Sequence, residues 1–355
     1  MSEHKISVIP GDGIGIEVIT EAKRIMTHIE ETNAGIKFNY VDLPWGSEYY
    51  RQTGLMMPED GLDQIKDSDA ILFGAVGDPN IPDHITLQGL LLPMRRQYDQ
   101  GISIRPAYLY PGVNSPIKDK GPGEIDMVIF RENTEGEYAP VGGSLYSGTE
   151  HETVIQTNVF TRRGTERIIE AAFEYCLQRN TKLKVTSVTK SNAQAHSMVF
   201  WDEVFEQVAS RYPMIQTESL LVDAACMDLV RWPENFDVIV ASNLFGDIMS
   251  DIAAVITGSM GLAPSANINP ERQYPSMFEP VHGAGFDITG KGIANPIATF
   301  FAISMMLDHL GENEIAQKLN DAIIQALTTR KVLTPDLGGT ASTSEVTDEI
   351  MSLIN

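Results

Sequence analysis

The chain has 355 residues, with 48 Asp or Glu against 26 Lys or Arg and a formal net charge of -22. So acidic a surface repels a phosphate backbone, which argues against nucleic-acid binding as the main activity; it also repels free organic anions, so a site for an acid must carry its own arginines and lysines. A hydrophobic content of 43% and a charged content of 21% are those of a globular protein, large enough for one big domain or two ordinary ones.

In chain order, Lys5 to Ile9 reads as a strand that stops at Pro10-Gly11-Asp12-Gly13. The apolar positions Ile14, Val18, Ala22, Ile25 and Met26 then recur at helical spacing. Asp69 to Phe73 and Gly101 to Pro106 are further strand candidates, and Ile125 to Phe130 is a strong one, followed by a polar run from Arg131 to Glu137. Tyr138 to Val159 has Gly142-Gly143, Gly148 and runs of Thr, Val and aromatic residues, which predict irregular chain with short strands lying on a surface or against a partner. Lys184 to Thr189 and Phe236 to Ala241 are two more apolar strands, each followed by polar residues and a helix. Two amphipathic helices, Thr299 to Leu310 and Ile315 to Leu327, close the chain. The alternation predicts an α/β protein with buried sheet strands.

Cys176 and Cys226 each lie in an apolar-leaning segment and read as buried thiols rather than a disulfide. The first five residues lack a secretory apolar region, and no apolar run reaches about 18 residues, so the expectation is a cytoplasmic protein that does not span a membrane.

Gly11-Asp12-Gly13-Ile14-Gly15 follows a strand and opens a helix, the setting of a dinucleotide loop. Its third glycine falls one place early for G-x-G-x-x-G, and Asp12 sets a negative charge where a pyrophosphate wants donors. The segment therefore reads as a tight turn bordering a cleft.

Asp247 and Asp251 are four apart on a helix that follows a strand, on one face, with Leu244, Ile248, Ile252 and Val255 on another. Two readings stand: the carboxylates solvate an outer face, or they hold a hard cation such as Mg²⁺ or Mn²⁺, with Asp223 in Leu221-Val222-Asp223-Ala224 as a third ligand. Arg95, Arg105 and Arg131 follow apolar runs or end strands, and guanidinium groups there suit a substrate bearing carboxylates. Each is alternatively an ordinary ion-pair residue. Lys190 ends a strand and Tyr138 follows the polar run, so a proton acceptor and a proton donor are at hand. A strand-end surface charge and a core tyrosine are the competing accounts.

Together these segments closely resemble the β-decarboxylating dehydrogenases, the family of isopropylmalate, isocitrate, tartrate and D-malate dehydrogenases. The resemblance runs from Ile9-Pro10-Gly11-Asp12-Gly13-Ile14-Gly15 through Arg131-Glu132-Asn133-Thr134-Glu135-Gly136 and Asn243-Leu244-Phe245-Gly246-Asp247-Ile248-Met249-Ser250-Asp251. It continues to Glu279-Pro280-Val281-His282-Gly283 and Gly290-Lys291-Gly292-Ile293-Ala294-Asn295-Pro296, nearly the whole chain.

The resemblance implies a two-domain isopropylmalate dehydrogenase-like α/β fold that is not a Rossmann fold. Residues 1–100 plus 255–355 would form the large cofactor-side domain, and 101–254 the smaller domain with a dimer arm and the metal-site helix. It implies that Arg95, Arg105 and Arg131 bind substrate carboxylates, that Tyr138 helps protonate the enol, and that Lys190 is the base on the hydroxyl. Asp223, Asp247 and Asp251 would hold Mn²⁺ or Mg²⁺, and K⁺ is an open addition. Lys190 and Asp223 would serve the partner's site in a homodimer. NAD would be bound by Asn192, His282, Gly283, Asp287 and Asn295, with the acid Asp287 disfavouring the 2'-phosphate of NADP. His282 would contact adenine or anchor its loop.

The implied reaction oxidises a small 2-hydroxy dicarboxylic acid at C2 and releases CO₂ from the 2-oxo product. Isopropylmalate enzymes typically carry glutamate where Gln88 stands and valine where Ala193 stands, and isocitrate enzymes a serine or threonine near Leu91. The pattern here is more similar to tartrate and D-malate dehydrogenases, with 3-isopropylmalate as the alternative substrate. A non-catalytic paralogue would be expected to have lost Lys190, Tyr138 or the aspartates, and all are present.

Overall fold

The computed structural model describes residues 2–354. Among these residues twelve strands are formed: β1 (Ser2–Gly11), β2 (Ile36–Asp42), β3 (Ala70–Ala75), β4 (Ile102–Tyr108), β5 (Asp126–Glu132), β6 (Gly142–Leu145), β7 (Thr153–Gln156), β8 (Lys184–Thr189), β9 (Gln216–Leu221), β10 (Val238–Ala241), β11 (Pro264–Ile268) and β12 (Ser276–Pro280). Ten of them make one sheet in the order β2-β1-β3-β12-β11-β4-β5-β10-β8-β9. Pairing is parallel at both ends of this sheet and antiparallel where β11 meets β12 and β4, and where β4 meets β5. The α/β class is as expected from the alternation of elements; β2, β9, β11 and β12 are strands that pattern reading had not marked.

One face of the sheet carries Ile6, Val8, Leu72, Phe278, Ala266 and Phe130 into the main core. Helix Ile14–Thr32 buries Ile14, Val18, Ala22, Ile25, Met26 and Ile29, the face that its spacing predicts. Helix Ile297–His309 departs from expectation. Its sequence predicts an amphipathic helix, yet residues from Ile297 to Ser304 are all buried, together with Met306 and Leu307, because it lies sandwiched between the sheet and helix Asn313–Thr329. A helix covered on both sides has no polar face to display.

Two surfaces stay apolar. Strands β6 and β7 pair as an exposed antiparallel hairpin with Val154 71% exposed. Helix Asn243–Ile256 buries Phe245, Met249, Ala253 and Ile256 and turns Ile248 and Val255 outward. Both cysteines are free, and burial pushes the Cys176 thiol up to about 12, so it is an inert core group. Among the described residues no helix is long and apolar enough to cross a membrane.

Candidate active site

The turn after β1 does not present its donors to an anion. The Asp12 carboxylate accepts hydrogen bonds from Ser47 N and Oγ, both at 2.7 Å, and from Gly77 N at 3.0 Å. Gly13 has φ +56°, and a Cβ there would stand 1.9 Å from the Ala284 carbonyl oxygen. Ile14 N donates to that same oxygen at 2.8 Å. The turn thus grips the segment after β12, and glycine is required because the two backbones meet.

Sheet register assembles the cleft. Ser265 pairs with Glu279, Asn267 with Ser103, and Ser103 with Arg131. Since alternate residues of a strand share a face, Glu279, Ser265, Asn267, Ser103, Arg105 and Arg131 all project from the face opposite Phe278, Ala266 and Phe130. Helix Leu92–Gln97 sets Arg95 over them, and helix Asn243–Ile256 adds Asn243, Asp247 and Ser250. The result is a cavity of about 160 Å³ whose polar lining includes Arg95, Arg105, Arg131, Tyr138, Asp247, Glu279 and His282. Phe73, Leu87, Leu91 and Leu92 are its apolar wall.

Each arginine is wired. Arg95 Nη2 donates to Glu279 Oε1 at 2.7 Å, and Asn267 Nδ2 donates to the same oxygen at 2.8 Å. Asn133 Nδ2 in turn donates to Asn267 Oδ1 at 2.9 Å. Arg105 Nη1 donates to Ser250 Oγ at 2.7 Å and to Asp247 Oδ1 at 3.2 Å. Arg131, 1% exposed, donates from Nη1 to Asp247 Oδ1, and Tyr138 OH donates to Asp247 Oδ2 at 2.7 Å. The Arg131 guanidinium also lies 5.2 Å from the centre of the Tyr138 ring.

Burial, reinforced by the Arg105 charge, lowers the Arg131 guanidinium to about 10. Burial pushes the Asp247 carboxyl up, but Arg131, Arg105 and the Tyr138 hydroxyl together outweigh it and hold the group at about 2. Asp251 is raised, by burial and then by the Asp247 charge. Tyr138 is raised for the same two reasons. Three arginines against Asp247 and Glu279 make this a locally cationic cavity in an acidic protein.

Of the residues singled out from sequence, Arg95, Arg105, Arg131, Tyr138, Asp247, His282 and Gly283 meet at this cavity. Lys190, Asn192, Asp223, Asp251, Asp287 and Asn295 are not among its lining. Lys190 Nζ instead pairs with Asp223 Oδ1 at 2.5 Å, on side chains 28% and 60% exposed. Within one chain, and among the described residues, no group of three or more His, Cys, Asp and Glu is gathered as a metal cluster. Asp247 and neighbouring Asp251 supply two oxygen donors, the chemistry that a hard cation accepts when substrate and water complete its shell.

The segment from Glu279 to Asp287 offers an unmet donor or acceptor. His282 Nδ1 faces the Gly283 carbonyl at 3.0 Å while the buried Nε2 has no partner, and burial lowers this imidazole toward the neutral form. Such an orphan suits a polar atom of a bound cofactor. Asn295 is differently placed: its Nδ2 donates to Asp336 at 2.9 Å and its Oδ1 accepts from Ile297 N at 3.0 Å.

Sequence reasoning missed Asn243, Ser250, Asn267 and Glu137, and passed over the Glu279 side chain. Glu137 accepts from Ser242 Oγ and Leu244 N and so caps the helix that carries Asp247. The available signal was polar residues, Ser265 and Asn267, at alternate positions of an otherwise small and apolar run.

A family model described as isocitrate/isopropylmalate dehydrogenase matches residues 5–350. The chain is 49% identical over 354 residues to an Agrobacterium vitis protein named "probable tartrate dehydrogenase/decarboxylase", covering 100% of this chain and 98% of the relative. It is 49% identical over 362 residues to the D-malate dehydrogenase (decarboxylating) of Escherichia coli, covering 100% and 99%. A crystal structure of isocitrate dehydrogenase from Methylococcus capsulatus superposes with a TM-score of 0.87 at 33% identity, covering 99% of each chain. The arginine-lined cleft accordingly sits in a chain that belongs to the isocitrate/isopropylmalate dehydrogenase family.

Proposed function

We propose that this protein oxidises D-malate or tartrate with NAD, and that β-decarboxylation of the 2-oxo product follows where the substrate permits it. The observation that carries this reading is the small cavity in which Arg95, Arg105 and Arg131 face an apolar wall with no serine or threonine to hold a third carboxylate. Two relatives with names of those activities, each matched over nearly their whole length, support it.

When bound, Mn²⁺ or Mg²⁺ polarises the substrate oxygen and NAD accepts the hydride. Asp247 and Asp251 would hold the cation, with Asp223 of the partner subunit as the third carboxylate. The three arginines would fix the substrate carboxylates and so orient C2 for hydride transfer. Lys190 of the partner subunit takes the hydroxyl proton at Nζ, and the Tyr138 hydroxyl gives one to the enol carbon. His282, Gly283 and Asn192 would contact the cofactor, and the unpartnered Nε2 of His282 supports this for the first of them. Asp287 and Asn295 would serve its adenosine end.

Residues 1–100 with 255–355 form the cofactor-side domain in this reading, and 101–254 the other. The homodimer is supported by the outward Ile248 and Val255, by Met227 and Val230 on the adjacent helix Val222–Arg231, and by the exposed β6–β7 hairpin, an apolar area that water would otherwise cover. The cytoplasm, where NAD is available, is the proposed location.

Leu87, Leu91 and Leu92 favour one second reading, 3-isopropylmalate, whose alkyl group an apolar wall would also take. Rates for D-malate, tartrate and 3-isopropylmalate with NAD and Mn²⁺, recording NADH and CO₂ together, separate the two. A strong preference for isopropylmalate refutes the first.

A further inference from the structure

In the cleft, one side chain already engages the groups expected to receive a dicarboxylate. Asp247 Oδ1 accepts from both Arg131 and Arg105, and Oδ2 from the Tyr138 hydroxyl. Arg131 is fully enclosed, and a buried cation without a counter-ion is strongly disfavoured. Asn243 satisfies two of its N–H groups but carries no charge. Asp247 is therefore the anionic partner of Arg131 in this cleft. Its side chain is 33% exposed, so it borders open space into which it can swing. The Nε atoms of Arg95 and Arg105 are buried without partners, so the cluster is not saturated and further acceptors are wanted.

We propose that Asp247 occupies the substrate's anion site in the empty enzyme, and that a dicarboxylate gains Arg105 and Arg131 only by displacing it. One guanidinium N–H cannot serve two carboxylates at once, so Asp247 and a substrate carboxylate compete. A cation that draws Asp247 toward Asp251 relieves the competition, and substrate and cation then strengthen each other's binding by the same factor. This inference rests on the assignment of the arginines to the substrate, made above.

The test uses metal-free protein, prepared with a chelator, and succinate, which has two carboxylates and no hydroxyl to oxidise. Calorimetric titration of wild type, Asp247→Asn and Asp247→Ser is compared with Arg131→Lys. The expected result is that both Asp247 variants bind succinate about tenfold or more tightly than wild type, since a charged competitor has been removed. Equal or weaker binding by them, with Arg131→Lys weaker than wild type, overturns the proposal while leaving the arginine assignment intact. Wild type and Arg131→Lys binding succinate alike overturns both. Should the Asp247 variants not fold, wild type supplies the independent reading. Free Mn²⁺ measured by electron paramagnetic resonance should show tighter Mn²⁺ binding with succinate present; Mn²⁺ affinity indifferent to succinate overturns the proposal.

Discussion

The side-chain oxygen of Asn243 accepts from Nε of Arg131 at 3.1 Å and from Nη2 at 2.7 Å, so a neutral amide fixes the plane of a buried guanidinium. The amide itself is oriented from behind, where its Nδ2 donates to the Glu135 carbonyl at 3.2 Å. Asn243→Leu keeps the volume and leaves these N–H groups unpaired. KM for the hydroxy acid should rise by about tenfold or more, with a smaller change in kcat, in steady-state assays at saturating NAD.

Lys190 is partly exposed and its side chain pairs with Asp223 alone, so its removal tests chemistry with little disturbance of folding. Lys190→Met should lower kcat by about 100-fold or more while unfolding free energy moves by less than about 0.5 kcal/mol. Chemical denaturation beside the rate measurement checks both; undiminished turnover would remove this residue from the reaction.

Gly13→Ala addresses the grip of the first turn on the segment that follows β12. The added Cβ would fall 1.9 Å from the Ala284 carbonyl oxygen, at a backbone φ of +56°. The expected loss is about 1 to 3 kcal/mol of stability, and a KM for NAD raised more than that for the hydroxy acid. An NAD titration at fixed substrate, with the converse, reads the difference.

His309 ends helix Ile297–His309 with its ring 5.5 Å from Phe278, and burial lowers it to about 4. The unfolded chain, titrating near the ordinary value of 6.5, binds the proton more readily between those two values. Stability from this group is therefore full above about 6.5 and is lost as pH falls toward about 4. Screening at a partly exposed ring reduces the loss to about 1 kcal/mol. His309→Phe should narrow the gap between urea midpoints at pH 7.5 and pH 5; an unchanged gap contradicts the assignment.

Strand β8 was legible to the residue, because its Val and Thr side chains are β-branched and suit a pleated, buried strand. Strands β11 and β12 were not, since Ser265, Asn267 and Glu279 break the run for the sake of the cleft. For the same reason, the arginines stood out as cations at element ends, whereas the acceptors that aim them did not. Asn243 lies 112 residues from Arg131 and Glu279 184 from Arg95, and which of many polar residues becomes a partner is decided by sheet order. Lys190 and Asp223 show another boundary: within the chain they pair with each other away from the cavity, a placement that nothing in the local pattern announces.

Between helices Asp83–Thr86 and Leu92–Gln97, residues Leu87–Leu91 form a π-helical turn, which spends one more residue than an α-helical turn. Counting back from Arg95 in α-helical steps would bring Gln88 to the cleft; the wider turn brings Leu87 there instead, and Gln88 accepts from Arg96 Nη2 at 3.1 Å. Deleting a single residue within 87–91 would rotate everything before it by about 100° while Arg95 kept its place. In this fold, then, the repertoire of acids admitted can be altered by chain length alone, with no side chain of the anion-binding set exchanged.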